Sequence, residues 1–144
     1  MLTVNHPESP EEFEEYYDLR WRVLRGPWSQ PRGSEKDEFD PIADHVTVRD
    51  ENGKLVGIGR LHLNNDREAQ IRYMATEEDA RGSGAGRVII TRLEAIAKEH
   101  GVRRITLNAR ENIVGFYEHL GYRVTGEAPT MFDEIRHSKM EKEL

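Results

Sequence analysis

Residues 69–109 constrain the fold more than any other part of the chain: AQIRYMAT, then TEEDARGSGAG, then RVIITRLEAIAKEHG, then VRRITLNA. The first piece reads as a strand. In the third, Val88, Ile89, Leu93, Ile96 and Ala97 recur at helical spacing on one side, while Arg92, Glu94 and Lys98 are left for water. Gly101 follows His100 where a helix C-terminus commonly places glycine. RRITLNA then reads as a second strand. A strand, a long amphipathic helix and a strand in direct succession predict a right-handed parallel crossover, around which the rest of the sheet has to be built.

The flanking segments supply the rest. Residues 2–4 read as a short edge strand. SPEEFEEYYDLRWRVLR carries a helix start: Ser9 as N-cap, Pro10 in the first turn and Glu12 completing a capping box. Phe13, Tyr16, Tyr17, Leu19, Val23 and Leu24 give its apolar stripe. Residues 26–41, GPWSQPRGSEKDEFDP, with three prolines, two glycines and an acidic cluster, read as a loop with at most a helical turn, and a loop of this length is often a binding loop. DHVTVRD and LVGIGRLHLN form a hairpin about Asn52 and Gly53. ENIVGFYEHL reads as a short helix closed by Gly121, YRVTG as a strand, and EIRHSKMEK, whose alternation is poor, as the last strand. The order predicts an α/β (α+β) domain with a mixed, largely antiparallel sheet. At 144 residues the chain fits one domain, 1–144, with a real core.

Composition narrows the function. With no cysteine there is no disulfide framework, thiol nucleophile or thiolate metal site, and a reducing, cytoplasmic setting is the expectation. The six histidines form no zinc spacing, so no metal is expected. A formal charge of -6, from 21 basic and 27 acidic residues, argues against a nucleic-acid binder, although Arg81, Arg87 and Arg92 leave room for a local basic site. The start lacks the pattern of a signal peptide and no apolar run is long enough to span a bilayer, so no membrane association is expected.

The glycine loop RGSGAG, residues 81–86, is either a turn or an anion site. A P-loop needs lysine and then serine or threonine after its last glycine, where Arg87 and Val88 stand. A dinucleotide fingerprint needs a glycine where Ile89 stands. What remains is general: converging backbone amides at the positive end of a helix dipole, which accept an anion such as a pyrophosphate.

ARGSGAG after MATEED, together with NARENIVGFYEHLGYRVTGE beyond the helix, resembles the GNAT superfamily of acetyl-coenzyme A dependent N-acyltransferases. The resemblance runs from about residue 45 to residue 127. It implies a mixed, mostly antiparallel central sheet flanked by helices, with a splayed parallel strand pair. It also implies that Arg81, Gly82, Ser83, Gly84, Ala85 and Gly86, with Arg87 beyond them, hold the pyrophosphate of acetyl-coenzyme A, the cosubstrate. Met74, Ala75 and Thr76 match the strand end that pairs with the pantetheine arm. Phe116 and Tyr117 match a helix motif whose tyrosine serves as general acid toward the leaving thiolate. Many members carry asparagine seven residues before that tyrosine and alanine four before it; here Arg110 and Ile113 stand there, leaving Asn112 or Asn108 to supply a polar contact.

The implied reaction is transfer of an acetyl group to a primary amine by direct attack in a ternary complex. The alternative is a binding or regulatory domain that keeps the fold without turnover. His62, Glu68 and Glu77 are open candidates for the base. The acceptor, small molecule or peptide, is open: the acidic EKDEFD segment suits a cationic amine or basic peptide end, and suits a solvated loop equally well. Edge pairing by the strand at 122–127 or by the final strand leaves a homodimer open.

Overall fold

Ser9 starts the first helix as its sequence implies. In the computed structural model, which describes all residues Met1–Leu144, the Ser9 hydroxyl accepts the Glu12 amide at 3.1 Å and the Glu12 carboxylate accepts the Ser9 amide at 3.1 Å. The chain runs β1 (Thr3–Asn5), α1 (Pro10–Leu24), β2 (Asp44–Arg49), β3 (Leu55–Leu63), β4 (Glu68–Thr76), α2 (Ala85–Glu99), β5 (Arg104–Arg110), α3 (Val114–His119), β6 (Arg123–Met131) and β7 (Ile135–Glu143). Short 3-10 turns lie at Gly26–Trp28, Glu78–Ala80 and Glu111–Ile113.

The seven strands form one sheet in the order β1-β2-β3-β4-β5-β7-β6. Every neighbouring pair is antiparallel except β4 and β5, which are parallel and joined through α2. This is the mixed, mostly antiparallel sheet flanked by helices that the sequence leads one to expect. The C-terminal strands differ in detail. β6 and β7 are each longer than their sequence signal and form a hairpin turned through Phe132 and Asp133, at φ 53 and φ 57. β7 pairs on both sides, with β5 and β6, so the final strand offers no edge; β6, exposed along most of its length, does. The weak alternation of β7 has a packing cause: Met140 is its single buried residue.

The two long helices cover opposite faces. Ile89, Ile90, Leu93 and Ala97 of α2 pack with Val46, Val48, Leu61, Ile71, Ile105 and Met140. Tyr16, Leu19 and Leu24 of α1 pack with Leu55, Ile58, Tyr73 and Ala75. Burying an aliphatic side chain contributes about 2 kcal/mol, so the α2 stripe holds the parallel pair together. Glycine on β3 permits the close approach. A methyl group at Gly59 would lie 2.6 Å from Ile89 Cγ2 and 2.7 Å from Met74 Sδ. Gly59→Ala should therefore cost about 1–3 kcal/mol in urea unfolding; an unchanged midpoint would mean that α2 is free to ride outward.

Candidate active site

β4 and β5 pair only from Glu68↔Arg104 to Ile71↔Leu107, although β4 continues to Thr76 and β5 to Arg110. Beyond Ile71 the two parallel strands part and leave a wedge. A bulge in β4 re-aims its backbone at that point: Ile58 pairs with Ala75 and Arg60 with Arg72, so Gly59 alone faces both Tyr73 and Met74. Tyr73 sits at φ 60, a backbone state that a bulky residue keeps only when its surroundings hold it there.

Arginines hold it. The guanidinium carbons of Arg20, Arg72 and Arg60 lie 4.2, 4.5 and 4.8 Å from the Tyr73 ring centre. Arg20 and Arg60 are fully buried, and Asp40 accepts from both, at 2.9 and 3.1 Å. Asp37 accepts from Arg60 at 3.0 Å and from Arg72 at 3.1 Å. Burial alone pushes the Asp40 carboxyl up, but Arg20, the Asp37 amide and Arg60 more than reverse this and hold it below its usual 3.8. These contacts fix the loop at residues 26–41 over α1 and β3. They also occupy most of the acidic EKDEFD segment: Asp37 and Asp40 are paired with arginines, and buried Glu35 accepts the Gly33 amide at 2.7 Å.

The wedge opens into a cavity of about 370 Å³ whose walls include Arg25, Met74, Arg110, Tyr117, Met131 and His137. Tyr117 is buried against Phe116 and Tyr122, in edge-to-face contacts at 5.0 and 5.8 Å, and its hydroxyl has no hydrogen-bond partner in the protein. Burial pushes its phenol pKa up, so the group stays protonated at neutral pH.

α2 begins beside the end of β4, where a Cβ at Gly57 would meet Thr76 Cγ2 at 3.5 Å and Ala85 Cβ at 3.6 Å. Gly84 is its N-cap at φ 91, a conformation that suits glycine, and no side chain caps the helix. The amides of Gly84, Gly86 and Arg87 have no backbone acceptor, and that of Ala85 has only the Ser83 hydroxyl at 3.4 Å. Arg81 and Arg87 are exposed beside them. Open amides at a helix start, flanked by guanidiniums, suit an anion. The ring of Phe116 closes the other side: a Cβ at Gly86 would meet its Cζ at 3.1 Å. The glycine loop and the GFYEHLGY helix, far apart in sequence, meet here.

Not every expected residue reaches the cavity. Met74, Asn108 and Tyr117 line it, whereas Ala75 and Thr76 stay paired to Ile58 and Gly57 on β3. Gly82 and Ser83 are exposed in the loop, and Asn112 is exposed on the turn before α3. The three candidate bases lie elsewhere. His62 stacks on Phe39, with its Nδ1 3.0 Å from the Arg60 guanidinium; Glu68 pairs with Arg104 at 2.9 Å, and Glu77 with Arg22 at 2.9 Å.

The imidazole that does line the cavity is His137. Its Nδ1 lies 3.0 Å from the Ile135 carbonyl oxygen, which can only accept, so Nδ1 carries the proton and Nε2 is the acceptor. Burial first, and then Arg110, hold its pKa below the usual 6.5. His137 belongs to no local motif and sits on the strand with the weakest pattern, so its own stretch of sequence carries no signal for it.

With this geometry in place the chain can be set against known proteins. The family model for the acetyltransferase (GNAT) domain matches residues 32–144. The chain belongs to the GNAT family of acetyltransferases. It is 30% identical over 120 residues to the uncharacterized N-acetyltransferase YitI of Bacillus subtilis, an alignment that covers 79% of this chain and 80% of that one. An acyl-CoA N-acyltransferase from Pseudomonas aeruginosa superposes with a TM-score of 0.81 at 21% identity, over 99% of this chain and 98% of its own. An aminoglycoside 6'-N-acetyltransferase in complex with coenzyme A gives 0.81 at 18% identity, over 98% and 96%. The structural likenesses establish the GNAT fold, and membership of the family establishes acetyl transfer to an amine as the general activity of this chain.

Removal of the Asp40 carboxylate would leave Arg20 and Arg60 as under-compensated buried charges. Asp40→Ala should destabilise the protein by about 3 kcal/mol in chemical unfolding. Because the Asp40 pKa is depressed on folding, its contribution is present above about pH 4 and lost as pH falls further, so the variant should show a weaker acid dependence of stability than the parent. Equal stability of variant and parent at pH 7 would contradict the anchoring role.

Proposed function

We propose that this protein transfers an acetyl group from acetyl-coenzyme A to a primary amine by direct attack in a ternary complex. The observation that carries the reading is that the open α2 amides lie beside Phe116, whose neighbour Tyr117 lines the cavity where β4 and β5 part. The amides of Gly84, Gly86 and Arg87 take the pyrophosphate, with Arg81 and Arg87 adding charge and Gly82, Ser83 and Ala85 shaping the loop. The pantetheine arm follows β4 at Met74, Ala75 and Thr76, where the edge toward β5 is vacant beyond Ile71. Phe116 and Asn112 flank its course on the α3 side.

The acetyl carbon then lies in the wedge, where a backbone N–H at the β4 bulge suits the tetrahedral oxyanion. The amine nitrogen bonds to the acetyl carbon and the carbon–sulfur bond breaks. The proton lost from nitrogen goes to His137 Nε2, and the Tyr117 hydroxyl donates to the leaving sulfur. A phenol with a pKa raised by burial is a weaker acid than a thiol, so Tyr117 acts chiefly as a hydrogen-bond donor to the developing thiolate. No covalent enzyme intermediate is required; alignment supplies most of the catalysis.

Two variants test the roles, with thiol release followed as acetyl-coenzyme A and the amine are varied in turn. Tyr117→Phe should lower kcat by about 100-fold and change the KM for acetyl-coenzyme A little; an unchanged kcat removes Tyr117 from the mechanism. In the parent, kcat/KM should fall on the acid side through a pKa below 6.5, because His137 must be neutral to accept a proton. His137→Gln should abolish that limb and lower the neutral rate by about 100-fold. An intact acid limb in the variant would assign the proton to another acceptor. Tight binding of acetyl-coenzyme A with no amine-dependent thiol release across a broad panel would favour a non-catalytic domain.

A further inference from the structure

Buried and half-buried arginines in this protein follow a rule. Arg20 and Arg60 pair with Asp40, Arg49 with Glu15, and Arg104 with Glu68. Two depart from it, Arg25 and Arg110, and both line the cavity. The Arg110 guanidinium makes no hydrogen bond or ion pair within the protein and rests 4.7 Å from the Trp28 ring centre. Arg25 donates only to the Ser34 and Leu24 carbonyls, at 3.2 and 3.0 Å, and lies 5.5 Å from the Phe132 ring centre. Trp28 and Phe132 stack on each other at 6.1 Å, so the two guanidiniums bracket an aromatic pair drawn from the loop after α1 and the β6–β7 turn.

Two desolvated cations in one cavity repel each other, and the aromatic faces compensate them only in part. Burial depresses the pKa of both, and at Arg110 the neighbouring positive charges of Arg25 and Arg81 add to it. No aspartate or glutamate lines the cavity; its charged walls are Arg25, Arg72 and Arg110, and Arg72 is already held by Asp37. The missing element is an anion, and guanidinium forks match carboxylate and phosphate oxygens.

We propose that the acceptor is a primary amine bearing a carboxylate or phosphate group, seated by Arg25 and Arg110 so that its nitrogen enters the wedge beside Met74 and Tyr117. This rests on the acetyl-transfer reading above. It reverses the cationic acceptor suggested by the acidic segment, whose Asp37 and Asp40 are spent on arginines. Nitrogen gains the acetyl carbon and loses a proton to His137, the thioester carbon–sulfur bond breaks, and sulfur leaves as a thiolate that takes a proton from solvent to give the thiol. The anion stays unreacted at the arginines.

Matched acceptors test this at saturating acetyl-coenzyme A: β-alanine against β-alaninamide, 4-aminobutyrate against its amide, O-phosphoethanolamine against ethanolamine, and putrescine as the cationic comparator. The anionic member of at least one pair should exceed its neutral partner about tenfold or more in kcat/KM, and the pair with the larger ratio identifies carboxylate or phosphate. Arg110→Gln should remove that preference, mainly by raising the KM for the amine, while the KM for acetyl-coenzyme A stays within about twofold. Preference for the neutral members or putrescine overturns the proposal. So does a variant that weakens acetyl-coenzyme A binding and keeps the amine preference, since the arginine would then serve the donor. If no amine is acetylated, the acetyl-transfer reading fails, and binding decides the anion site separately: calorimetry of coenzyme A-saturated protein with N-acetyl-β-alanine and N-acetyl-β-alaninamide. About tenfold tighter binding of the acid, lost in Arg110→Gln, sustains the anion site; equal or absent binding of the two overturns it.

Discussion

The Tyr73 backbone carries more of this structure than any other single feature. A tyrosine at φ 60 is an expensive conformation, and it survives because Arg20, Arg60 and Arg72 press on its ring while Asp37 and Asp40 neutralise them. The bulge it creates separates β4 from β5 after Ile71, and the separation makes the cavity. The loop at residues 26–41, which has no strand and only one short 3-10 turn, is ordered by the same contacts. A charged network that looks like a costly burial is therefore the device that holds a strained strand open beside the candidate site.

The second constraint is the start of α2. Its amides are uncapped, its N-cap is a glycine at positive φ, and Gly86 leaves room for the Phe116 ring. Packing of Ile89, Ile90 and Leu93 against the sheet fixes the direction in which those amides point. The anion end is thus fixed against the sheet that forms the wedge, and the Phe116–Tyr117 pair on α3 links the two. Charge is divided between the two ends: exposed Arg81 and Arg87 flank the amides, and buried Arg25 and half-buried Arg110 line the inner cavity.

Local signals made most of the fold legible. The α1 capping box, the hairpin about Gly53 and the α2 stripe are written within single segments and are seen where expected. The β6–β7 hairpin was only half legible, because a strand at the end of the sheet with one buried residue has little alternation to display. Among the residues that line the cavity, Met74, Asn108 and Tyr117 were named through motif resemblance. His137, Arg25 and Tyr73 were not, since what places them is a bulge, a desolvated arginine pair and a strand inserted between two others. Arg110 did leave a trace, as the residue standing where many family members carry asparagine. The internal pairing of the acidic loop was hidden for a related reason: the sequence displays its carboxylates but not the buried guanidiniums that take them.

Amide-resolved NMR during titration with coenzyme A tests the wedge and the helix start together. The amides of Gly84, Gly86 and Arg87 should shift strongly to lower field and gain protection from exchange, along with β4 residues beyond Ile71, while the β1–β2 edge stays unchanged. Binding that leaves those three amides unperturbed and moves signals elsewhere would contradict the assignment of this wedge as the donor site.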